Sequence, residues 1–529
     1  MVAIGQPGSC RTRRCASLLL LTAASAREWC RPGAPCWPSV DELRGICATP
    51  GCRVLLPEDD DFAHASVLRD TQWNFTPGLI VQVASVEDVQ RAVRFAAAKS
   101  VEPRVFNTGH CYDGHCSGDG VLRVDVGALN ATEWVTSGDT FRIGSGCRWG
   151  DVYAWLGNSS GHRRCCVGGG DPSVGVTGWT LGGGHGPMTR AFGIGVQQVL
   201  SFEVVDAAGA VKTASATSEP ELFWALRGGG GGTFGIVTSF TLRSHPDTAV
   251  HYAAATANMS LGLYADFAAR RALLDGVGDW LAAILDPTSG DASISGTVEL
   301  DHGARHQLVL KLLVRGGDAA SASRRVAGLA KLVARNPAVA RLDEFASYDS
   351  FGQYAASIPS KPPGAPETSA SALLAPGAVA ASVAAIVEGV EQLFAAASHG
   401  TEFQCTADMV GGAALAALDD AASVHDAWRA TALVMACSAY GWAEGGRDAA
   451  AAALNAWSAR ALAPLSRVGA RNQSAYVNEA QTDGFDVPWS ELFWGSRYGR
   501  LLDVKRSVDP DGFWRCPNCV GSELQLVFF

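Results

Sequence analysis

Glycine is the residue whose placement in this chain most clearly asks for chemistry. Three clusters, Gly168-Gly169-Gly170, Gly182-Gly183-Gly184 and Gly228–Gly232, fall between residues 168 and 232. Without a Cβ, glycine reaches positive φ and lets backbone N–H groups approach a ligand closely, which suits an anionic cofactor. Loop flexibility is the bland alternative, and the clustering argues against it. Gly230-x-Gly232-x-x-Gly235 has the spelling of a dinucleotide fingerprint. A Rossmann loop, however, follows a strand and opens a helix. Here the helical patterning (Glu221–Arg227) comes before the glycines and the strand patterning (Ile236–Leu242) after them, so the order is reversed and that reading is excluded. No Gly-Lys-Ser/Thr follows a cluster, which excludes a P-loop. Cys516-Pro-Asn-Cys519 has redox or zinc spacing. No second pair or histidine cluster accompanies it, so a tail disulfide is expected and no metal site.

The chain that carries these glycines has 529 residues, 47% hydrophobic and 18% charged, with 60 Gly, 15 Cys and a formal net charge of −10. This length corresponds to roughly two to four domains and allows a large buried core. So apolar a composition excludes a disordered chain, and the lack of a three-residue glycine period excludes collagen. The acidic excess argues against a non-specific nucleic-acid binder, whose affinity comes from neutralising phosphates.

Residues 1–26 read as a secretory signal peptide: Arg11, Arg13 and Arg14, a short apolar run from Ala16 to Ala23, then Ala24-Ser25-Ala26. The run is shorter than the roughly 20 residues of a membrane anchor. Its removal takes three positive charges, no negative ones, and Cys10 and Cys15. A secreted product that leaves the membrane is therefore expected. In an oxidising compartment Cys30, Cys36, Cys47 and Cys52 are expected in disulfides. Asn74, Asn130, Asn158, Asn258 and Asn472 are sequons open to glycosylation there.

The elements that must position the glycines begin at Leu79. Leu79–Val83 is a strand-like run, and Ser85 followed by Glu87 and Asp88 opens an amphipathic helix through Ala98. Strand patterning recurs at Val121–Val126, Phe141–Ser145, Leu200–Val205 and Gly235–Leu242. Short strands punctuated by glycine turns and a few helices predict an α+β domain. Residues 291–315 predict a hairpin, Ser293–Leu300 and His306–Val314 about a turn at Asp301-His302-Gly303. Helices are predicted at Ala319–Ala334 and Ala378–Ala397. Residues 248–470 read as a second α+β domain almost free of chemistry-bearing motifs, and residues 471–529 as a return to the first. No internal repeat is visible.

The order of motifs is more specific than any one of them. LIVQVASVEDVQRAV, NTGHCYDG, VGVTGWTLGGGHG and ELFWALRGGGGGTFGIVTSFTLRSHP follow one another, and YVNEA, FWGSRYGRLLDVKRSVDPDGFW and VGSE close the chain. This resembles the FAD-linked oxidases of the berberine bridge enzyme type, within the vanillyl-alcohol-oxidase-like, PCMH-type flavoprotein superfamily. The resemblance covers residues 73–247 and 474–523, with a weaker echo at CRPGAPCWPS. It implies an FAD-binding PCMH-type domain over 73–247, a substrate domain over 248–470, and a C-terminal segment, 471–529, that rejoins the FAD domain.

In that family a histidine in a Gly-His-x-x-x-Gly turn bonds to the flavin 8α-methyl. The turn here is Gly109-His110-Cys111-Tyr112-Asp113-Gly114, so the resemblance makes His110 the attachment point. Asn107, Thr108, Gly109 and Gly114 are implied beside it. Many members tether flavin a second time through a cysteine shortly before Val-Gly-Val. Alignment on Val174-Gly175-Val176 puts Asp171 in its place, so one covalent link is expected, and Asp171→Ala is expected to leave it intact. Cys165 and Cys166 lie a few residues early and would need a loop adjustment to serve. Val174, Gly175, Thr177, Gly178, Gly182, Gly183, Gly184, Ile236, Asn478 and Tyr498 complete the implied cofactor set.

The resemblance also implies hydride transfer from substrate to flavin N5, a base that takes a proton, and reoxidation by O2 to H2O2. Tyr476 and Glu479 are the candidate bases. Relatives often carry tyrosine where Glu479 stands, and a carboxylate partly buried beside the ring could have its pKa raised towards neutrality. The structural alternative for Glu479 is an ion pair with Arg497 or Arg500. If residues 474–479 form a strand, Tyr476 and Asn478 share the face towards the ring and Glu479 points away, which favours Tyr476. A small alcohol, sugar or phenolic substrate is expected. Dehydrogenation without O2, oxidative cyclisation, or a flavin-free secreted binding protein on the same fold are the alternatives.

Overall fold

The computed structural model describes residues 28–136, 139–158, 163–259, 267–288, 290–301, 306–359, 367–396, 402–441, 447–462, 473–479 and 487–525. The signal segment, Asn472 and the turn residues His302 and Gly303 lie outside the described residues. The apolar run Leu79–Gln82 forms a strand parallel to Leu122–Asp125, which in turn lies parallel to Pro103–Phe106; Arg53–Leu55 closes the other edge antiparallel. The Ser85 hydroxyl accepts from the Asp88 N–H and starts the helix Val86–Lys99, whose Val89, Ala92, Val93 and Ala96 are buried on this sheet.

A second, antiparallel sheet of five strands runs in the order Thr132–Thr136, Thr140–Gly144, Ile236–Arg243, Val199–Val205, Val211–Ser215. A third sheet is antiparallel throughout and has seven strands, all drawn from residues 250–440. The helices Phe267–Leu285 and Pro376–Ala396 contribute buried residues to the same core as this sheet. The hairpin falls at Ile294–Asp301 and Gln307–Arg315. The helix expected over Ala319–Ala334 is instead two, Ala319–Arg325 and Ala327–Arg335. Val326 between them is buried in the core with φ −94° and ψ 8°, so packing overrides the helical period there.

The C-terminal segment belongs to the cores of the first two sheets. Phe513 and Trp514 are buried with the parallel strands, and Leu492, Phe493, Trp494 and Leu501 with the five-stranded sheet. Lys505 is the clamp. Its buried ammonium donates to Asp509 Oδ2, Trp514 O and Thr233 O at 2.6–2.7 Å, so it ties the third glycine cluster to the C-terminus. Residues expected as a strand, 474–479, are irregular and end in a turn closed by Glu479 N–H on Tyr476 O at 3.0 Å.

Five disulfides are present among the described residues: Cys30–Cys36, Cys47–Cys52, Cys111–Cys116, Cys405–Cys437 and Cys516–Cys519. Cys147, Cys165 and Cys166 are free and buried. Among the described residues no helix is long and apolar enough to cross a membrane, and no group of acids, histidines and cysteines could hold a metal ion.

Candidate active site

The site is a cleft bordered by the loop after Pro103–Phe106, the segment Val174–Leu181, the third glycine cluster, residues Tyr476–Glu479, and Trp514–Cys516. The first of these carries His110. Its backbone turns through positive φ at Gly109 (76°) and Gly114 (71°). A Cβ on Gly114 would lie 2.8 Å from Trp73 and 2.9 Å from Phe75, so the turn admits no side chain there. The Cys111–Cys116 disulfide staples the same turn.

Asn107 and Thr108 weld this loop to its neighbour. Asn107 Nδ2 donates to Ser145 O at 2.7 Å, Thr177 Oγ1 donates to the same carbonyl at 3.0 Å, and Gly175 N–H donates to Thr108 Oγ1 at 3.0 Å. Asn107 Oδ1 is buried with no hydrogen-bond partner among the described residues. His110 Nε2 lies 3.0 Å from Ser173 Oγ, which donates to Asp171 Oδ1 at 2.7 Å. Asp171 does not itself border the cleft; it stands behind Ser173, with Arg69 Nη2 3.9 Å from its other oxygen. Cys165 and Cys166 are also away from the cleft. Cys165 lies in a short strand pair opposite His245, and burial pushes its thiol up to about 12.

The glycine clusters divide by role. Gly231, Gly232 and Gly235 border the cleft, as do Gly175 and Gly178. A Cβ on Gly178 or Gly232 would meet nothing within 4 Å. Gly182, Gly183 and Gly184 do not border the cleft and instead make room for its wall. A Cβ on Gly182 would fall 2.3 Å from Asn478 Oδ1, and Gly184 N–H donates to the Tyr476 hydroxyl at 3.2 Å. Gly168 and Gly169 pack on Trp149. Ile236 is buried in the first core, while Gly235 and Val237 on either side reach the cleft. Tyr498 is remote from the cleft: its hydroxyl bonds to Glu523 and to Gly521 N–H, and its ring packs on Trp489 and Trp494. Neither Ile236 nor Tyr498 borders the cleft.

Tyr476, Asn478 and Glu479 all reach the cleft, because the chain turns there and strand parity does not apply. The Tyr476 phenol is buried, accepts from Asn478 Nδ2 at 2.8 Å, and donates to Trp179 O at 3.4 Å. Burial, with the nearby Glu479 charge, drives its ionisation far above the usual phenol range. Glu479 pairs with neither arginine: Arg497 binds Asp420 and Asp426, and Arg500 binds Glu221. Its Oε1 lies 3.2 Å from His185 Nε2, and its Oε2 is buried without a hydrogen-bond partner among the described residues. Burial, the largest single influence, lowers the His185 pKa, but the Glu479 carboxylate and, more weakly, Asp408 together outweigh it and the net shift is upward. Trp428 and Tyr476 flank the imidazole.

Four residues escaped the sequence. Tyr112 borders the cleft, and the charge of Glu367, burial, and the charges of Glu479, Asp70 and Asp171 push its ionisation well above the usual range. Asp113 and His115 border it as an ion pair. His185 lies just behind. Tyr112 and Asp113 sit inside the His110 turn and His185 directly follows the second glycine cluster, so motif adjacency was the available signal.

The donor set fits FAD. Backbone at Gly178 and Gly232 opens where a Cβ would meet nothing, Asn107 and Glu479 offer buried unpaired oxygens, and an imidazole stands on a stapled turn. Fold and cleft together define a flavin-binding oxidoreductase. A profile described as FAD binding domain matches residues 77–215, and one described as berberine and berberine like matches residues 475–521. A VAO-type flavoprotein oxidase of Thermothelomyces thermophilus is 30% identical over 460 residues, covering 85% of this chain and 76% of the relative. An FAD-linked oxidoreductase of Gibberella fujikuroi is 28% identical over 589 residues, covering 95% and 96%. The crystal structure of a VAO-type flavoprotein from Myceliophthora thermophila C1 superposes with a TM-score of 0.76 at 25% identity, covering 94% of this chain and 98% of that one. The chain belongs to the VAO-type, berberine-bridge-like family of FAD-linked oxidoreductases.

Proposed function

We propose that the protein is a secreted oxidase that takes a hydride from a small alcohol, sugar or phenolic substrate, with Glu479 as the base and O2 as the final acceptor. When bound, FAD accepts the hydride and passes the electrons to O2, which becomes H2O2. Residues 73–247 and 471–529 would hold the cofactor and 248–470 the substrate. Asn107, Thr108, Gly175, Thr177 and Gly178 would line its path, and His110 would hold it by a single covalent bond. Among the described residues no free thiol borders the cleft to make a second: Cys111, Cys116 and Cys516 are in disulfides, and Cys147, Cys165 and Cys166 do not border it.

One observation carries the assignment of the base. Glu479 borders the cleft and has a buried oxygen with no hydrogen-bond partner among the described residues, whereas the Tyr476 hydroxyl donates to a backbone carbonyl. His185, 3.2 Å behind it, holds the Glu479 carboxylate in place. Asn478 fixes Tyr476, which forms the wall. Five disulfides support the extracellular reading. Solved structures of the same fold include a xylooligosaccharide oxidase in complex with xylobiose, at 22% identity and a TM-score of 0.74, so oligosaccharides head the substrate screen.

The test is a screen of sugars, alcohols and phenolics for peroxide release, followed by anaerobic mixing with the best substrate. Bleaching of the flavin and rapid recovery in air support the oxidase. Bleaching with slow recovery would make it a dehydrogenase or a cyclase. A protein purified without flavin absorbance would return the flavin-free binding protein.

A further inference from the structure

We propose that Ser173 and Asp171 form a proton relay that sets the tautomer of His110 and takes up its Nε2 proton as the ring is joined to the flavin. The inference rests on the assignment of His110 as the attachment point. Ser173 Oγ stands between the two groups, 3.0 Å from His110 Nε2 and 2.7 Å from Asp171 Oδ1, and the Ser173 N–H also donates to Oδ1 at 2.8 Å. A serine hydroxyl has one proton to give. With that proton directed to the carboxylate, the oxygen accepts from Nε2–H, and the imidazole is held with its lone pair on Nδ1. The reverse polarity would set the serine lone pairs against a carboxylate oxygen.

The relay is built on anchored pieces. The turn Asp171–Ser173 leads into the helix Val176–Leu181, and Gly175 N–H on Thr108 Oγ1 ties that segment to the His110 loop. The disulfide Cys111–Cys116 holds the loop from its other side. Arg69 lies 3.9 Å from Asp171 Oδ2.

A C–N bond forms between the flavin 8α carbon and His110 Nδ1, and one 8α C–H bond breaks. Its proton leaves to solvent and its electron pair reduces the ring. The Nε2 proton passes through Ser173 Oγ to Asp171. Dissolved O2 then takes two electrons and two protons and leaves as H2O2. For Asp171→Ala the relay predicts slower attachment through the same His110 atom, against the expectation that this variant leaves attachment intact.

The experiment compares the wild type with Ser173→Ala, Ser173→Thr, Asp171→Asn and His110→Ala. Total bound flavin is measured by absorbance, and the attached part by acid precipitation and in-gel fluorescence, as isolated and over time with added FAD in air. Wild type and Ser173→Thr should carry their flavin acid-stably as isolated. Ser173→Ala and Asp171→Asn should bind FAD and attach it more slowly by on the order of 100-fold, the usual scale of a lost general base. Full attachment as isolated in either variant would overturn the relay. His110→Ala separates the two readings. Acid-stable flavin in that variant removes His110 as the attachment point, whereas its loss beside unaffected Ser173→Ala and Asp171→Asn removes the relay alone.

Discussion

Besides the Asp113–His115 ion pair, two imidazole–carboxylate arrangements flank the cleft in opposite order. On the His110 side the imidazole faces the cleft and the acid, Asp171, stands behind a serine. On the other side the acid, Glu479, faces the cleft and the imidazole, His185, stands behind. Both use the same two side-chain types, so what differs is which member meets the ligand. On the proposed function, the cleft-facing imidazole offers a lone pair to carbon and the cleft-facing carboxylate offers a place for a proton, so the order of the pair would decide its chemistry.

The comparison breaks most readily at the cleft-facing atoms. His110→Ala should abolish acid-stable flavin, read by acid precipitation, while Glu479→Gln should keep it. The Glu479→Gln variant should slow anaerobic flavin reduction by roughly 10²- to 10⁴-fold, the range of a lost general base. The residues behind should matter less. Opening the staple with Cys111→Ser and Cys116→Ser together should lower the attached fraction as isolated without reducing total bound FAD. Smallest is Tyr476→Phe. Its rate should change less than about tenfold, with a loss of about 1–2 kcal/mol in unfolding free energy, because Gly184 N–H loses its acceptor.

A pH series sharpens the Glu479 side. His185 has its folded pKa raised above the ordinary 6.5, by Glu479 foremost and Asp408. The unfolded chain thus binds less proton at this group than the folded one between the two values. Its stabilisation is fully present below about 6.5 and is lost as pH rises through the raised value. The melting temperature of wild type should accordingly fall as pH is raised above 6.5, and Glu479→Gln should remove that part of the slope. Thermal unfolding of both from pH 6 to 9 checks it.

The parallel-sheet half of the site was legible in the sequence for a physical reason. The strands at Leu79–Val83 and Val121–Val126 and the helix capped by Ser85 rest on local signals that act within a few residues. The His110 turn rests on the family resemblance, and the strands Arg53–Leu55 and Pro103–Phe106 were not expected. The other half depends on contacts across the chain. Tyr476 lies against the second glycine cluster, and the turn after it brings Glu479 to His185. Alternation assumed a strand there, and so pointed Glu479 away and favoured Tyr476. Tyr498 sits in a motif rich in aromatic residues, but its hydroxyl is taken by Glu523. Ser173 was invisible beside Asp171, since only the fold sets it against His110. Where the glycines do not touch the cleft, as at Gly182 and Gly184, they serve the neighbour that does.

The most direct test of this ordering is anaerobic stopped-flow reduction of wild type, Glu479→Gln and Tyr476→Phe by one peroxide-yielding substrate, with reoxidation in air measured afterwards. Slow reduction is expected in Glu479→Gln alone, with reoxidation unchanged in all three. Slow reduction in Tyr476→Phe with a near-normal rate in Glu479→Gln would contradict it.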